Sequence, residues 1–283
     1  MDNFALGQFG TLIKRELLEH RNLFIGGPVL LAGLLSAAII WVLNFGSKEV
    51  LLAALRRLGI ITEGVAGADL APLLMPVSIP WVIALYVCIL AYLVNTLYQD
   101  RRDGSVLFWQ SMPVSNFKTV TSKVLTGCFI APLLTVAVLF VWMLVCAFAI
   151  TIFAALNDVD TVGIGQLLIA IINSMWLVYL TMIMASLWLF PTIGWLLVFS
   201  AFAKSQPLMW AIGTFVLIVM LEGFIFDSQY LANWAESRSG FYRYLVLKPG
   251  DFIDRLFTYD TFFGIALGSL VITGATYMRR FTD

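Results

Sequence analysis

Six apolar runs organise the chain, at residues 23–43, 77–97, 124–154, 166–202, 208–226 and 261–278. Each is near or above the length of roughly 20 residues that a helix needs to cross a bilayer, so six crossings are predicted. The third run is about ten residues longer than a perpendicular crossing requires and is expected to tilt or project. The fourth is longer still and contains Pro191, which removes a helical hydrogen bond and predicts a kink or break there. An extra re-entrant piece would fit in that run. The first run starts too late, and runs too far without a small-residue cleavage site, for a cleaved signal peptide, so it is expected to remain as an anchor.

The polar stretches between the runs have patterns of their own. Before the first run, Phe9, Leu12, Ile13 and Leu17 recur at helical spacing, while Lys14, Arg15, Glu19 and Arg21 supply a charged side, which predicts a helix lying in the interface over residues 1–22. The loop at 44–76 holds a second amphipathic pattern from Lys48 to Leu58, expected to end at Gly59. It is suited either to cap a cavity or to pack on the bilayer surface. The loop at 227–260 is aromatic and mixed in charge, with Trp234, Phe241, Tyr242 and Tyr244, and ordered structure is expected in it.

Composition narrows the class. The 283 residues are 61% hydrophobic and only 12% charged, about half the charge of a soluble domain, which leaves no room for a large soluble catalytic domain. Seventeen basic and seventeen acidic residues cancel, so nothing points to nucleic acid, and membrane lipid is the expected surroundings. Cys88, Cys128 and Cys146 all lie in apolar runs and read as packing residues. The single histidine, His20, is expected to be solvated near headgroups. A His-rich metal site or a Ser-His nucleophile cannot be built. Placement of charge sets the orientation. Lys14, Arg15, Arg21, Arg101, Arg102, Lys118, Lys123, Lys204, Arg279 and Arg280 share one side and cluster next to helix ends, whereas the other side's basic residues are diluted among acids in the two long loops. Both termini are therefore expected in the cytoplasm.

The segment at 98–123 is the most informative. Asp100-Arg101-Arg102-Asp103 forms a charged entry, Ser105 can cap a short helix carrying Val106 to Met112, Pro113 stops it, and Ser115 can start the helix that enters the third run. A short helix is thus expected outside the membrane, presenting Leu107, Phe108 and Trp109 to headgroups or to a protein groove.

This order of a charged cluster, a small residue, a short apolar helix, Pro113-Val114-Ser115 and the later Lys123 resembles the permease subunits of ATP-binding-cassette exporters of the second type. The resemblance extends to Lys14-Arg15-Glu16-Leu17, to the six-crossing plan and to the turn Ser200-Ala201-Phe202-Ala203-Lys204. Asn116 stands where many members carry a basic residue. The resemblance implies an all-α polytopic fold: one transmembrane domain over residues 1–283, six transmembrane helices, an N-terminal interfacial amphipathic helix and a cytoplasmic coupling helix. It further implies a multi-pass protein of the inner, cytoplasmic membrane of a prokaryote, working as a homodimer of permeases with separate ATPase subunits that carry ATP and Mg. Asp103, Ser105, Leu107, Phe108, Trp109, Met112 and Pro113 would then make the ATPase-coupling contact. The chain itself has no Gly-Lys dipeptide and so no phosphate-cradling P-loop; no cofactor is expected on it.

Two other classes compete. A secondary transporter or channel not powered by ATP would normally carry polar residues midway in several crossings and matched helix breaks in two halves, and only the break near Pro191 is evident. An intramembrane protease would need a second acid to match Asp260. Glu222 is the one acid well inside a run. It lies about 15 residues from Pro207, or about 22 Å at the helical rise, in the outer third of the hydrocarbon layer. It is suited either to a translocation path or outer gate, or to headgroup contact and capping of the following loop. Gly264 and Gly268 form a Gly-x-x-x-Gly pattern, read as a contact within the chain in preference to a dimer seam.

Overall fold

The computed structural model describes residues 2–104, 115–240 and 243–279, with side chains from residue 7 onward. Twelve helices and no strand occur among the described residues. They are α1 (Asp2–Glu19), α2 (Gly27–Phe45), α3 (Lys48–Thr62), α4 (Ala71–Arg102), α5 (Asn116–Leu125), α6 (Ala131–Ala155), α7 (Ile164–Trp188), α8 (Phe190–Phe202), α9 (Pro207–Phe226), α10 (Tyr230–Ser239), α11 (Pro249–Leu256) and α12 (Tyr259–Met278). Six helical spans among them are long and apolar enough to cross a membrane, so the architecture fits a polytopic membrane protein. The N-terminal helix and Arg279 meet at one end of the bundle, called here the near end.

Prolines shape the long spans. The third span runs from Asn116 to Ala155 through a π-helical turn at Thr126–Ile130. Pro132, just beyond that turn, has no N–H to give to the Cys128 carbonyl four residues back. Ser186 of α7 donates to that carbonyl instead, at 3.2 Å, so the defect becomes a contact between helices. The fourth run breaks as its proline predicts: α7 ends at Trp188 and α8 opens at Phe190, with Pro191 in its first turn. The second span departs from expectation by starting earlier, with a 3₁₀ turn at Gly67–Leu70 and helix from Ala71 through Pro76 and Pro80. Burial of Met75, Trp81, Val82 and Leu85 against the bundle offsets the missing hydrogen bonds.

The main core lies among α4, α6, α7 and α8, with Trp81, Ile89, Leu93, Leu139, Met182 and Leu197 almost fully buried. Helix α12 packs closely on α8 because of glycine. A Cβ at Gly268 would meet the Phe190 backbone at 2.7 Å, and one at Gly194 the Gly268 carbonyl at 3.0 Å. The Gly-x-x-x-Gly pair therefore serves a contact within the chain. Helices α2 and α9 remain mostly exposed and apolar, as surfaces in contact with lipid would be.

Gly59 corrects a local expectation. Helix α3 does not stop there but continues to Thr62. A Cβ at Gly59 would lie 2.8 Å from the Asp160 carbonyl, so this glycine lets α3 touch the turn between α6 and α7. The segment 227–258 is ordered where it is described, and it folds back onto the bundle. Val246 is fully buried, and its amide, out of reach of water, donates to the Thr181 hydroxyl of α7 at 3.0 Å.

Candidate functional site

The chemistry-bearing residues converge at the near end, around the roots of the loop at 98–123. The incoming limb is the last turn of α4, ended by Asp103 and by Gly104 at φ +67°. The outgoing limb is α5, whose first turn is capped by the Ser115 hydroxyl, which accepts from the Lys118 amide at 3.3 Å. Between the limbs sits a cluster of charges that is almost completely buried. Lys123 of α5 is its hub. Its ammonium donates to Glu16 Oε1 of α1 and to Thr96 Oγ1 of α4, both at 2.8 Å, and lies 3.5 Å from Asp100 Oδ2. Glu16 Oε2 accepts from the Tyr92 hydroxyl at 2.8 Å. Asp100 Oδ2 accepts from Arg279, just past α12, at 3.2 Å, and Arg15 of α1 stands 3.9 Å from Oδ1.

The inventory balances. Glu16, Asp100, Lys123 and Arg279 are each no more than 5% exposed, two acids against two bases. An uncompensated charge could not persist at such sites, because desolvation would neutralise it or unfold its surroundings. Burial pushes the Glu16 carboxyl up, but the Lys123 ammonium, the hydrogen bonds from Lys123 and Tyr92, and the Arg15 charge outweigh it and hold the group below its ordinary range. Burial pulls the Arg279 guanidinium below arginine's usual value, against the opposing pull of Asp100 and Glu16.

His20 departs from the solvated position expected of it. It is half-buried, edge-on to Tyr92 at 4.8 Å and 4.0 Å from Glu16, and burial holds its imidazole below the ordinary value despite the nearby acids. A second tie fastens α4 to α8. Arg101 donates to the carbonyls of Ser200 and Ala203 at 2.9 and 2.8 Å, at the C-terminal end of α8 where a cation is favoured. The Ser200 hydroxyl in turn accepts from the amides of Leu97 and Tyr98.

Of the residues singled out for coupling, Asp103 is exposed and paired with Arg102 at 3.1 Å. Ser105, Leu107, Phe108, Trp109, Met112 and Pro113 lie outside the described residues, as do Phe241, Tyr242 and Arg280. Sequence reasoning missed the cluster itself. The available signal was Glu16, which shares a helix face with buried Leu12, together with Lys123 and Asp100 at the margins of apolar runs.

At the far end, Glu222 of α9 caps α10. Its carboxylate accepts from the Ser228 hydroxyl at 3.1 Å and from the amides of Tyr230 and Leu231 at 2.7 and 3.0 Å, the first two residues of that helix. No basic side chain pairs with it among the described residues. The base that matters there is Arg238, which no sequence signal marked. It is 5% exposed and sandwiched between Trp188 and Trp234, its guanidinium carbon 4.7 Å from each ring. It donates to the carbonyls of Trp188 and Asp260, both at 2.7 Å, while the Trp188 indole donates to the Arg238 carbonyl at 3.1 Å. Gly264 of α12 makes room for it, since a Cβ there would lie 2.5 Å from the guanidinium. The helix break before Pro191 supplies the Trp188 carbonyl, and Arg238 uses it to pin α10 to α7 and α12.

No group of three or more His, Cys, Asp or Glu side chains among the described residues is arranged to hold a metal ion. Comparison with known proteins returns no matching family model, no matching curated protein and no matching solved structure. The arrangement is mechanical in character: a loop whose two limbs, the N-terminal helix and the end of α12 are joined by buried charges, so that none can move far without the others.

Proposed function

We propose that the chain is the membrane-spanning permease subunit of an ATP-binding-cassette exporter of the second type, paired with a second permease copy and driven by separate ATPase subunits. The supporting observation is the buried cluster of Glu16, Asp100, Lys123 and Arg279, which roots both limbs of the 98–123 loop in α1, α4, α5 and the end of α12. In this reading Leu107, Phe108 and Trp109 seat in a groove of the ATPase, and closure of the ATPases displaces the loop. Because breaking a buried pair by losing one partner is costly, the displacement moves α4 and α5 together with α1. The tie from Arg101 to the end of α8 carries it on to α8 and α12. Cavity access would alternate at the interface of the two permeases. The near end would face the cytoplasm of a prokaryote, in keeping with its basic residues, and Arg238 and Glu222 would brace the segment at 227–258 on the opposite side.

Purification of the tagged chain at native expression level from its own membranes tests this. A P-loop ATPase should copurify in one-to-one ratio, and its hydrolysis should respond to changes in the loop. Transport by the chain alone, driven by an ion gradient with no ATPase bound, would replace this reading with that of a secondary transporter.

A further inference from the structure

The first and third spans enter the bundle in the same way, through a π-helical turn, one further residue and a proline. The turn at Thr126–Ile130 precedes Pro132, and a turn at Asn22–Gly26 precedes Pro28. In both, proline has no N–H for the carbonyl four residues back. At the third span that carbonyl belongs to Cys128 and receives the Ser186 hydroxyl. At the first it belongs to Phe24, which is 1% exposed, and no side chain among the described residues donates to it. The Leu23 carbonyl is left open as well, because the Gly27 amide four residues on donates to Asn22 instead, and the residue five on is Pro28.

A cavity of about 50 Å³ lies against this elbow between α1 and α2. Leu23, Phe24 and Pro28 line it from the elbow, Trp81 and Ala84 from α4, and Thr135 from α6. Trp81 is 0% exposed, yet its indole N–H makes no hydrogen bond among the described residues. The buried Thr135 hydroxyl gives its proton to the Ala131 carbonyl at 3.0 Å and keeps lone pairs with which to accept. One donor and several acceptors thus surround a space too wide for them to meet directly. A water molecule takes up roughly 30 Å³, so the cavity suits one or two, and a buried water makes about three hydrogen bonds to groups that lack partners. A hydrocarbon tail would satisfy none of these groups, and leaving them unpaired out of reach of solvent is costly.

We propose that this cavity is a hydration site, in which ordered water accepts the Trp81 indole N–H and donates to the Leu23 and Phe24 carbonyls and to the Thr135 hydroxyl oxygen. Water does at the first span what Ser186 does at the third. It fastens to α4 the joint between α2 and α1, the helix that carries Glu16 of the buried charge cluster. The site is independent of the transporter reading, since it follows from the packing of one chain.

The test is X-ray hydroxyl-radical footprinting of the full chain in lipid nanodiscs, in which radiolysis of a bound water oxidises the side chains beside it whatever their distance from bulk solvent. Trp81 and Phe24 should be oxidised despite their burial. Trp81 should react at least about fivefold faster than Met184, which is equally buried, more readily oxidised and outside the cavity wall. Trp81→Phe removes the donor and should lower Phe24 oxidation about fivefold, the effect of one neutral hydrogen bond lost. Pro28→Ala returns an N–H to the Phe24 carbonyl and should lower Trp81 oxidation to a similar extent; alanine favours a helix, so this variant carries the test should Trp81→Phe fail to fold. Trp81 oxidation no faster than that of Met184 would show a dry cavity and overturn the site. Oxidation indifferent to both variants would overturn these groups as the ones that hold the water.

Discussion

Replacing Lys123 by methionine keeps the volume of the side chain and deletes the charge that holds the near-end cluster together. Glu16 then keeps the Tyr92 hydroxyl at 2.8 Å, but loses the ammonium at 2.8 Å from its other oxygen. Removing one partner of a buried pair costs about 3–5 kcal/mol. The carboxyl has an escape, which is to bind a proton. From an ordinary value of 4.5, protonation at pH 7 costs about 3.4 kcal/mol, and at pH 5.5 about 1.4 kcal/mol. The charge penalty is thus capped, and the cap falls by about 2 kcal/mol over that interval. The signs differ between the two proteins. In the wild type the folded carboxyl sits below its unfolded value, so its contribution is present above pH 4.5 and is lost only as pH falls through the lower folded value. In the variant, burial without the cation raises the folded value, so stability declines as pH rises. Both proteins should be measured in a His20→Gln background, so that no imidazole titrates in the window. Unfolding in mixed micelles, followed by tryptophan fluorescence, should show a deficit of about 3–4 kcal/mol at pH 7 that shrinks by about 2 kcal/mol at pH 5.5. Glu16→Gln added to Lys123→Met should recover most of it. A deficit below about 1 kcal/mol, or one indifferent to pH, would refute the claim that this pair is buried and mutually dependent.

Four further outcomes are expected. Phe108→Asp or Trp109→Asp should leave expression intact but weaken ATPase association or uncouple hydrolysis from transport, by desolvating a charge in an apolar groove; copurification yield and stimulated hydrolysis check it. Arg238→Met should cost about 3 kcal/mol, through two charged hydrogen bonds and two ring contacts, and expose segment 227–258 to protease. Arg238→Lys should recover less than half, because one ammonium cannot replace the two-armed donor. Glu222→Gln keeps an acceptor for α10 and should cost less than about 1 kcal/mol, while Glu222→Ala should cost about 1–2 kcal/mol; transport unaltered in the Gln variant would mark a cap and not a gate. In a cysteine-free background, single cysteines at Ser47, Asp158 and Ser237 should react with impermeant thiol reagents in intact cells, whereas those at Ser105 and Ser205 should react only once the near-end side is opened.

The amino-acid sequence by itself determined what each residue settles alone or with its immediate neighbours. Lipid tests every position of a crossing for apolarity, so six runs could be counted without knowing what packs on what. Pro191 marks the break after α7 by its own missing N–H, although Pro76 and Pro80 stay inside α4, and Ser115 caps a helix by a bond to its own chain three residues on. Only the tertiary structure decided the partners. Glu16 meets Lys123 across 107 positions and Asp100 meets Arg279 across 179, and a count of basic residues treats Lys123 and Arg279 as markers of one side when both are in fact buried. Gly59 has the composition of a helix stop and serves as a contact, because the Asp160 carbonyl comes within reach only after α6 and α7 have turned. Arg238 reads as a loop cation until the broken end of α7 offers it a carbonyl between two indoles. Burial of a charge depends on a partner arriving from elsewhere in the chain, and local pattern carries no record of which partner arrives.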